Sequence, residues 1–581
     1  MKLIYLYIKK YKCFVDQEFN FDSNRRFNYD RKQKILNQEE KKILPLDFFY
    51  SINQEKESNN QQKERPVTSI SAIIGDNGSG KTTLAYFIGE ELLQKNSNEK
   101  YVVVYEDENK ELQIYSTIEG VKCNNYTIQD PKTDLIFGII PFKFLYFSPF
   151  FTSEHYLNIP EDTDLSTSYR LSTGITSLGQ RYTNTISLTL DPTIAYVTVE
   201  YIQALLFLHD FHKKNVESIQ LPKPRGIRIY PEDNLIKVVH SDLIKYRNHF
   251  GKNHELYKLY DRIINVIIAK RTDDLFITAF RYYIACYCKD MLSDSIRISK
   301  TINDEPTKNI YIQLSNYLQV VEKFNIKLIN DESESEDYKK YINDCQSEIL
   351  NVLRKHDENA YMFFECLKKI YDKYFNIYVP MIIGIECYEN QENFDLVLDL
   401  VKKYALSVHI SNFLNFQFFP KLSSGEMAFL SMYSRIYNFF VKENKNNELN
   451  DENTLIYENI IIFLDESETT LHPEWQRQLV NNMIIFLENF APKYKFHLLF
   501  ASHSPMLLSD IPKGNVIFLK KNKDKTQNIS KNNHETFGSN IYSLYKDSFF
   551  LKDMIGKFAL DKIQKIFDQL SDIINHESKR K

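Results

Sequence analysis

Apolar and polar residues alternate along Met1 to Tyr7, which predicts an opening β-strand, and a solid apolar run from Ile70 to Ile74 predicts a buried one. Further strands are predicted at Tyr101–Tyr105, Leu112–Tyr115 and Lys143–Phe147. The period then changes. From about Pro149 to Ala405 apolar residues recur every three or four positions, giving helices over Ile194–Phe211, Glu255–Ala269, Leu275–Met291 and Tyr338–Leu353. Strand patterns return at Phe413–Phe419, Ile460–Leu464, Phe496–Phe500 and Val516–Leu519. Strands and helices in this order predict an α/β fold interrupted by a mostly helical insertion, with boundaries at 1–150, 151–404 and 405–581. The helical runs are too broken for a long coiled coil, and no internal repeat is evident.

Polar segments punctuate the pattern. Ser51 to Arg65 and Lys442 to Asn453 read as a surface loop and a linker, and Asp331 to Asp337 as an acidic solvated loop. Lys520 to Lys525 reads as a lysine-rich hairpin tip kept soluble by charge in preference to a contact with a phosphate backbone, and Asp273-Asp274 as a helix cap. At 581 residues, 43% hydrophobic and 26% charged, the composition is that of a globular protein of several domains. A net charge of −4 argues against wholesale attraction to nucleic acid, while leaving room for a local basic groove. The seven cysteines are scattered, with no C-x-x-C pair, so reduced thiols are expected rather than a zinc site. No run of eighteen apolar residues could cross a bilayer, and the N-terminal strand pattern is not that of a signal peptide; a cytoplasmic location is expected.

Candidate chemistry begins directly after the Ile70–Ile74 strand. Gly75, Asp76, Asn77, Gly78, Ser79, Gly80, Lys81 and Thr82 fit the G-x-x-x-x-G-K-[ST] phosphate loop, with Thr83 next on the helix expected over Lys81–Glu91. In such a loop backbone amides close around phosphate oxygens, Lys81 reaches the β- and γ-phosphates, and the Thr82 hydroxyl ligates Mg²⁺. ATP and Mg²⁺ are the ligands this predicts. A complementary half-site stands far downstream, where the strand Ile460–Leu464 ends in Asp465-Glu466. There Asp465 would help hold Mg²⁺ and Glu466 would polarise the attacking water.

Three more segments carry a resemblance. Leu422-Ser423-Ser424-Gly425-Glu426 resembles the signature sequence of ABC-type ATPases, although its residues also suit a capped helix start. His503, directly after the Phe496–Phe500 strand, stands where such ATPases carry a switch histidine, and Glu468 to Pro473 stands in the place of the loop that crosses their dimer interface. In this order the motifs resemble the branch that includes the SMC and RecF families. Leu471-His472-Pro473, Leu6 to Tyr11, Thr536 to Asn540 and Asp547 to Leu551 resemble bacterial defence-associated members, including Septu and retron-linked ATPases.

The resemblance implies a P-loop NTPase head, a RecA-like core with an antiparallel β lobe, covering residues 1–150 and 405–581. It implies catalytic roles for Glu466, His503 and Lys81, and a head-to-tail dimer in which Ser423, Ser424, Gly425 and Glu426 of one copy meet ATP held by the other. A nuclease or toxin would be the effector partner, since the stretch after His503 lacks an Asp-x-Asp pair and no nuclease constellation is visible in the insertion. A DNA-repair ATPase and a nucleotide-sensing scaffold are the alternative readings, and nucleic acid remains a candidate partner. One departure is plain: where ABC ATPases place a glutamine after the strand corresponding to Lys143–Phe147, this chain reads Ser148-Pro149, making Ser148 the candidate for that metal contact.

Overall fold

The structure, a computed structural model, describes residues 2–40, 44–45, 48–49, 66–92, 98–129, 142–150, 163–168, 192–214, 216–268, 274–292, 305–325, 336–374, 382–387, 390–407, 413–449, 459–548 and 555–578, leaving out 108, 125, 217–218, 523–524 and 531–534. The segments Ser51–Arg65, Asp331–Ser335 and Asn450–Asn453, together with Asp273 and Phe549–Leu551, lie outside the described residues. Two compact units form. One comprises 1–150, 154–166 and 445–581, and the other 151–153 and 167–444.

The first unit is built on an eleven-stranded sheet. Five strands run parallel in the order Lys143–Phe147, Asn459–Asp465, Lys495–Ser502, Val67–Gly75, Val516–Asn522. Every residue of Asn459–Asp465 is buried, as a parallel strand covered on both faces requires, and its isoleucines suit that setting. The sheet continues through Lys525–Asn528, Phe14–Asn20, Lys2–Tyr11, Tyr101–Glu106, Leu112–Ser116 and Ile128–Gln129, where antiparallel pairs predominate. The fold is therefore mixed α/β with a large, mainly parallel sheet. Because Lys143 pairs with Ile460, the sheet joins two stretches of chain that the other unit separates.

Alternation divides the apolar residues between two cores. Leu6, Ile8, Tyr101 and Val103 pack with Leu84 and Phe87 on one side of the sheet, while Tyr5, Tyr7, Val102 and Val104 pack with Phe27 and Tyr29 on the other. A register shift between Leu3 and Tyr5 keeps both faces filled. The helix expected over Lys81–Glu91 is α-helical only from Lys81 to Tyr86 and widens to a π-turn over Phe87–Glu91. Lys520–Lys521 close an antiparallel hairpin with Thr526–Gln527, and Lys442–Leu449 extend a helix that starts at Ser424, where a polar linker is the sequence reading.

The second unit is mainly helical. Asp274 caps the helix Leu275–Tyr287 by accepting from the Ile277 amide at 2.8 Å. Phe280, Tyr283, Tyr317, Phe364 and Phe413 form an aromatic core, and Glu200 satisfies the buried Arg435 guanidinium at 2.9 Å. A three-stranded sheet, Ile383–Glu386 beside Gly226–Pro231 beside Leu414–Phe419, adds two strands to the helical reading. The chain between 405 and 444 belongs to this unit, so the boundary falls at 444 and not at 405. Cys286 and Cys288 are buried here, with thiols pushed well up by burial, as free structural cysteines are. None of the described helices is long and apolar enough to cross a membrane.

One buried histidine ties the two halves of the large sheet. His497 Nδ1 accepts from the Leu3 amide at 3.1 Å, and Nε2 lies 3.1 Å from Ser71 Oγ, whose hydroxyl donates to the Phe21 carbonyl at 2.8 Å. With the serine hydrogen so used, Nε2–H donates and the ring is neutral. Burial, with Lys2 adding to it, pushes its pKa down to about 3. Between about pH 6.5 and that value the unfolded chain binds the proton and the folded chain does not, so acid weakens the fold by about 1.4 kcal/mol per unit from this group. His497→Gln preserves one acceptor and one donor but cannot titrate. Urea unfolding followed by the fluorescence of Trp475 is expected to show a shallower loss of stability between pH 6 and 4 in the variant.

Candidate functional site

Strand register brings the candidate segments to one edge of the parallel sheet. Gly75 lies beside Leu519, Ile74 beside Ser502, and Ala501 beside Asp465, so the chain leaves all these strands at the same end. In open α/β sheets this is the end at which ligands bind.

The loop after Gly75 turns on two glycines in the left-handed region, Gly78 at φ +71° and Gly80 at φ +95°. At Gly80 a side chain is also excluded by packing, since a Cβ would lie 2.7 Å from Cys13 Sγ. Asp76, Asn77 and Gly78 form an exposed apex, closed beneath by the Ser79 amide donating to the Asp76 carbonyl at 3.0 Å. Thr82 and Thr83 follow on the first helical turn, half-buried.

Lys81 is folded beneath this loop. Its ammonium donates to the Gly75 carbonyl at 3.2 Å and meets His503 Nε2 at 2.6 Å, with Glu466 Oε1 at 3.8 Å. Burial pulls the lysine pKa down, and the nearby carboxylates, Glu466 first, oppose that. His503 Nε2 also lies 3.1 Å from Glu466 Oε1. One ring nitrogen thus faces both an ammonium and a carboxylate, and it can accept from the first or donate to the second, but not both. The His503 contact, then Lys81, holds the Glu466 carboxyl below its usual range, so it stands ready ionised. Glu466 adopts φ +49°, a strained backbone for a non-glycine residue, fixed by its amide donating to the Ala501 carbonyl at 2.8 Å.

Asp465 is the buried member of the group. Its Oδ2 accepts from Thr82 Oγ1 and from the Tyr146 hydroxyl, each at 2.8 Å. Burial pushes its carboxyl pKa up, and these two hydrogen bonds oppose the shift. Oδ1 is buried without a hydrogen-bond partner among the described residues. A divalent cation fits that orphaned oxygen together with the Thr82 hydroxyl. No cluster of three or more acidic, histidine or cysteine side chains that could hold a metal forms among the described residues.

Ser148 lies just past the strand Lys143–Phe147. The Ser148 hydroxyl lies 3.4 Å from the Phe150 amide, and Tyr146 of the same strand is the residue that meets Asp465. Alternation could have found it: Phe144 and Tyr146 share one face with Ile461 and Phe463, and Asp465 is next on that face. Burial and Asp465 push the Tyr146 hydroxyl well above its ordinary pKa, so it stays a donor.

Glu468 is a second residue whose role the sequence left unread. Its Oε1 accepts from the Ser502 hydroxyl at 2.6 Å and from the His503 amide at 3.1 Å, locking the loop after Asp465 onto the loop that carries the histidine. Farther along, His472 caps the helix Pro473–Phe490. Ser423, Ser424, Gly425 and Glu426 belong to the other unit. There the Ser423 amide donates to Glu426 Oε2 at 2.7 Å and the Glu426 amide to Ser423 Oγ at 3.3 Å, a reciprocal capping box at an exposed helix start.

The chain matches no protein-family model and no curated protein.

Glu468→Ala would leave the buried Ser502 hydroxyl and the His503 amide without their acceptor, at about 1–3 kcal/mol for such orphaned groups. Glu468→Gln keeps one carbonyl oxygen for both donors and is expected to cost under about 1 kcal/mol. Urea unfolding of the two variants, side by side, measures the difference.

Proposed function

We propose that the chain is an ABC-type ATPase that binds ATP and Mg²⁺ at the phosphate loop and hydrolyses it while two copies clasp it head to tail. The observation that carries this reading is convergence of three separate segments: contacts of 2.6 to 3.8 Å join Lys81, Glu466 and His503, and one of 2.8 Å joins their chain neighbours Thr82 and Asp465. Each then has a task. Lys81 exchanges its contacts with His503 and the loop carbonyl for β- and γ-phosphate oxygens. His503 Nε2, relieved of the ammonium, donates to Glu466 or to the terminal phosphate. Glu466 Oε1 accepts the proton of the attacking water, and its depressed pKa keeps it ionised for that step. Mg²⁺, resting on Thr82 and Asp465, would neutralise charge on the β- and γ-phosphates.

The second copy supplies the other half of the pocket. Ser423 and Glu426 satisfy each other at the helix start and leave the adjoining exposed end open to an anion. ATP bridging the two copies would favour the closed pair, and hydrolysis would release it. Moving such a pair from mostly open to mostly closed takes about 5.5 kcal/mol of differential binding.

Glu466→Gln tests this reading. The variant should bind ATP within about threefold of wild type, lose at least about a hundredfold in phosphate release, and accumulate a dimer by light scattering with ATP present. Adding Ser423→Arg should return that dimer to monomer without loss of ATP binding. Phosphate release by Glu466→Gln at the wild-type rate overturns the mechanism.

A partner effector, a nuclease or toxin in anti-phage defence, completes the proposal. Its support is the resemblance of the defence-associated segments and the helix Lys557–Ser578, whose Phe558, Ile563, Ile566, Phe567 and Leu570 are exposed along a helical stripe. Ile566→Asp with Phe567→Asp should lose the effector on purification from the native operon, read by mass spectrometry, and retain ATP hydrolysis. Purification of the wild-type chain free of any nuclease or toxin would remove this part of the proposal.

A further inference from the structure

The strand Val516–Asn522 runs parallel to the phosphate-loop strand, with Leu519 beside Gly75. Beyond Gly75 the loop turns away, but the neighbouring strand keeps going. Lys521, two residues after Leu519, lies on the same face and therefore over the loop. Its Nζ stands 3.5 Å from where a Cβ of Gly78 would be. Gly78, at the exposed apex with positive φ, leaves that space open.

The hairpin carrying Lys521 is fixed to the loop itself. Thr526, paired directly across from Lys521, is buried, and its hydroxyl donates to the Ser79 carbonyl at 2.8 Å. Its amide donates to the Cys13 carbonyl at 3.0 Å, and Cys13 and Phe14 close on Gly80. So the lysine is carried by a strand pair that is hydrogen-bonded to the loop on which it rests, rather than by a free tip. Lys521 is exposed and makes no ion pair among the described residues. Lys81, by contrast, is buried beneath the loop among carbonyl oxygens, His503 and Glu466.

From this geometry we propose that Lys521 is a second phosphate-binding cation of the site, contacting the triphosphate of a bound nucleoside triphosphate from the Gly78 side of the loop. The inference rests on the nucleotide reading above. A bare ammonium reached without rearrangement of the sheet gains most from the ligand of highest charge. Its contribution therefore grows from nucleoside to diphosphate to triphosphate. Neither composition nor motif marks this residue, because a lysine in a run of lysines reads as solvated charge.

Equilibrium binding of a non-hydrolysable ATP analogue, ADP and adenosine to the full chain tests the proposal, with Mg²⁺ present. Lys521→Gln should bind the triphosphate analogue about tenfold more weakly, the worth of one charge-assisted contact at a partly solvated site, and adenosine equally well. Lys521→Arg should recover most of the affinity, and Lys525→Gln, an equal change of charge on the paired strand, should stay within about twofold of wild type. Equal binding by Lys521→Gln and wild type, while Lys81→Ala loses the analogue, overturns the inference and leaves the nucleotide reading standing. Failure of the wild-type chain to bind any of the three ligands overturns both.

Discussion

A carboxylate buried at the end of a fully buried strand constrains everything around it. Asp465 cannot sit there ionised without donors, and Thr82 supplies one from a helix start and Tyr146 another from the neighbouring strand. Those two hydrogen bonds require that the phosphate-loop helix start, the strand Lys143–Phe147 and the strand Asn459–Asp465 meet at one point. The parallel order of the sheet delivers that meeting, because each strand ends at the same edge. An oxygen left over on Asp465, beside the Thr82 hydroxyl, is buried and without a partner among the described residues, and it can take a further positive charge.

Around this fixed point the chemistry is held under tension. Glu466 takes a backbone conformation that side chains disfavour, by roughly 1–2 kcal/mol, and the hydrogen bond of its amide to Ala501 maintains it. Lys81 and Glu466 share one histidine nitrogen that can serve only one of them at a time. Which contact the nitrogen makes depends on where the ammonium goes. Glu468 keeps the histidine loop in place meanwhile, so a change at His503 is a change of hydrogen bonding rather than of fold.

Much of the first unit was legible because its signals are local. A glycine-rich turn between an apolar run and a helix, and an apolar run ending in two acids, are features of adjacent residues, and their strands fall within three residues of the expected bounds. Lys81, Thr82, Asp465, Glu466 and His503 were all named by motif, and all five are brought together. Tyr146 was not singled out, because a motif does not say which side chain of a neighbouring strand points at the acid. The strands Gly226–Pro231 and Ile383–Glu386 escaped for a related reason: each is short, and only pairing in the small sheet makes it a strand.

By itself, then, the sequence determined the main strands of the first unit, the break between strand-rich and helical regions, and the glycine-rich turn and paired acids, since these depend on neighbours along the chain. Tertiary structure alone decided that Tyr146 meets Asp465, that Glu468 joins two loops, and that Lys521 lies on Gly78. These contacts join residues far apart in the chain, and strand order and register, set by packing of the whole sheet, choose which of many equivalent side chains arrive.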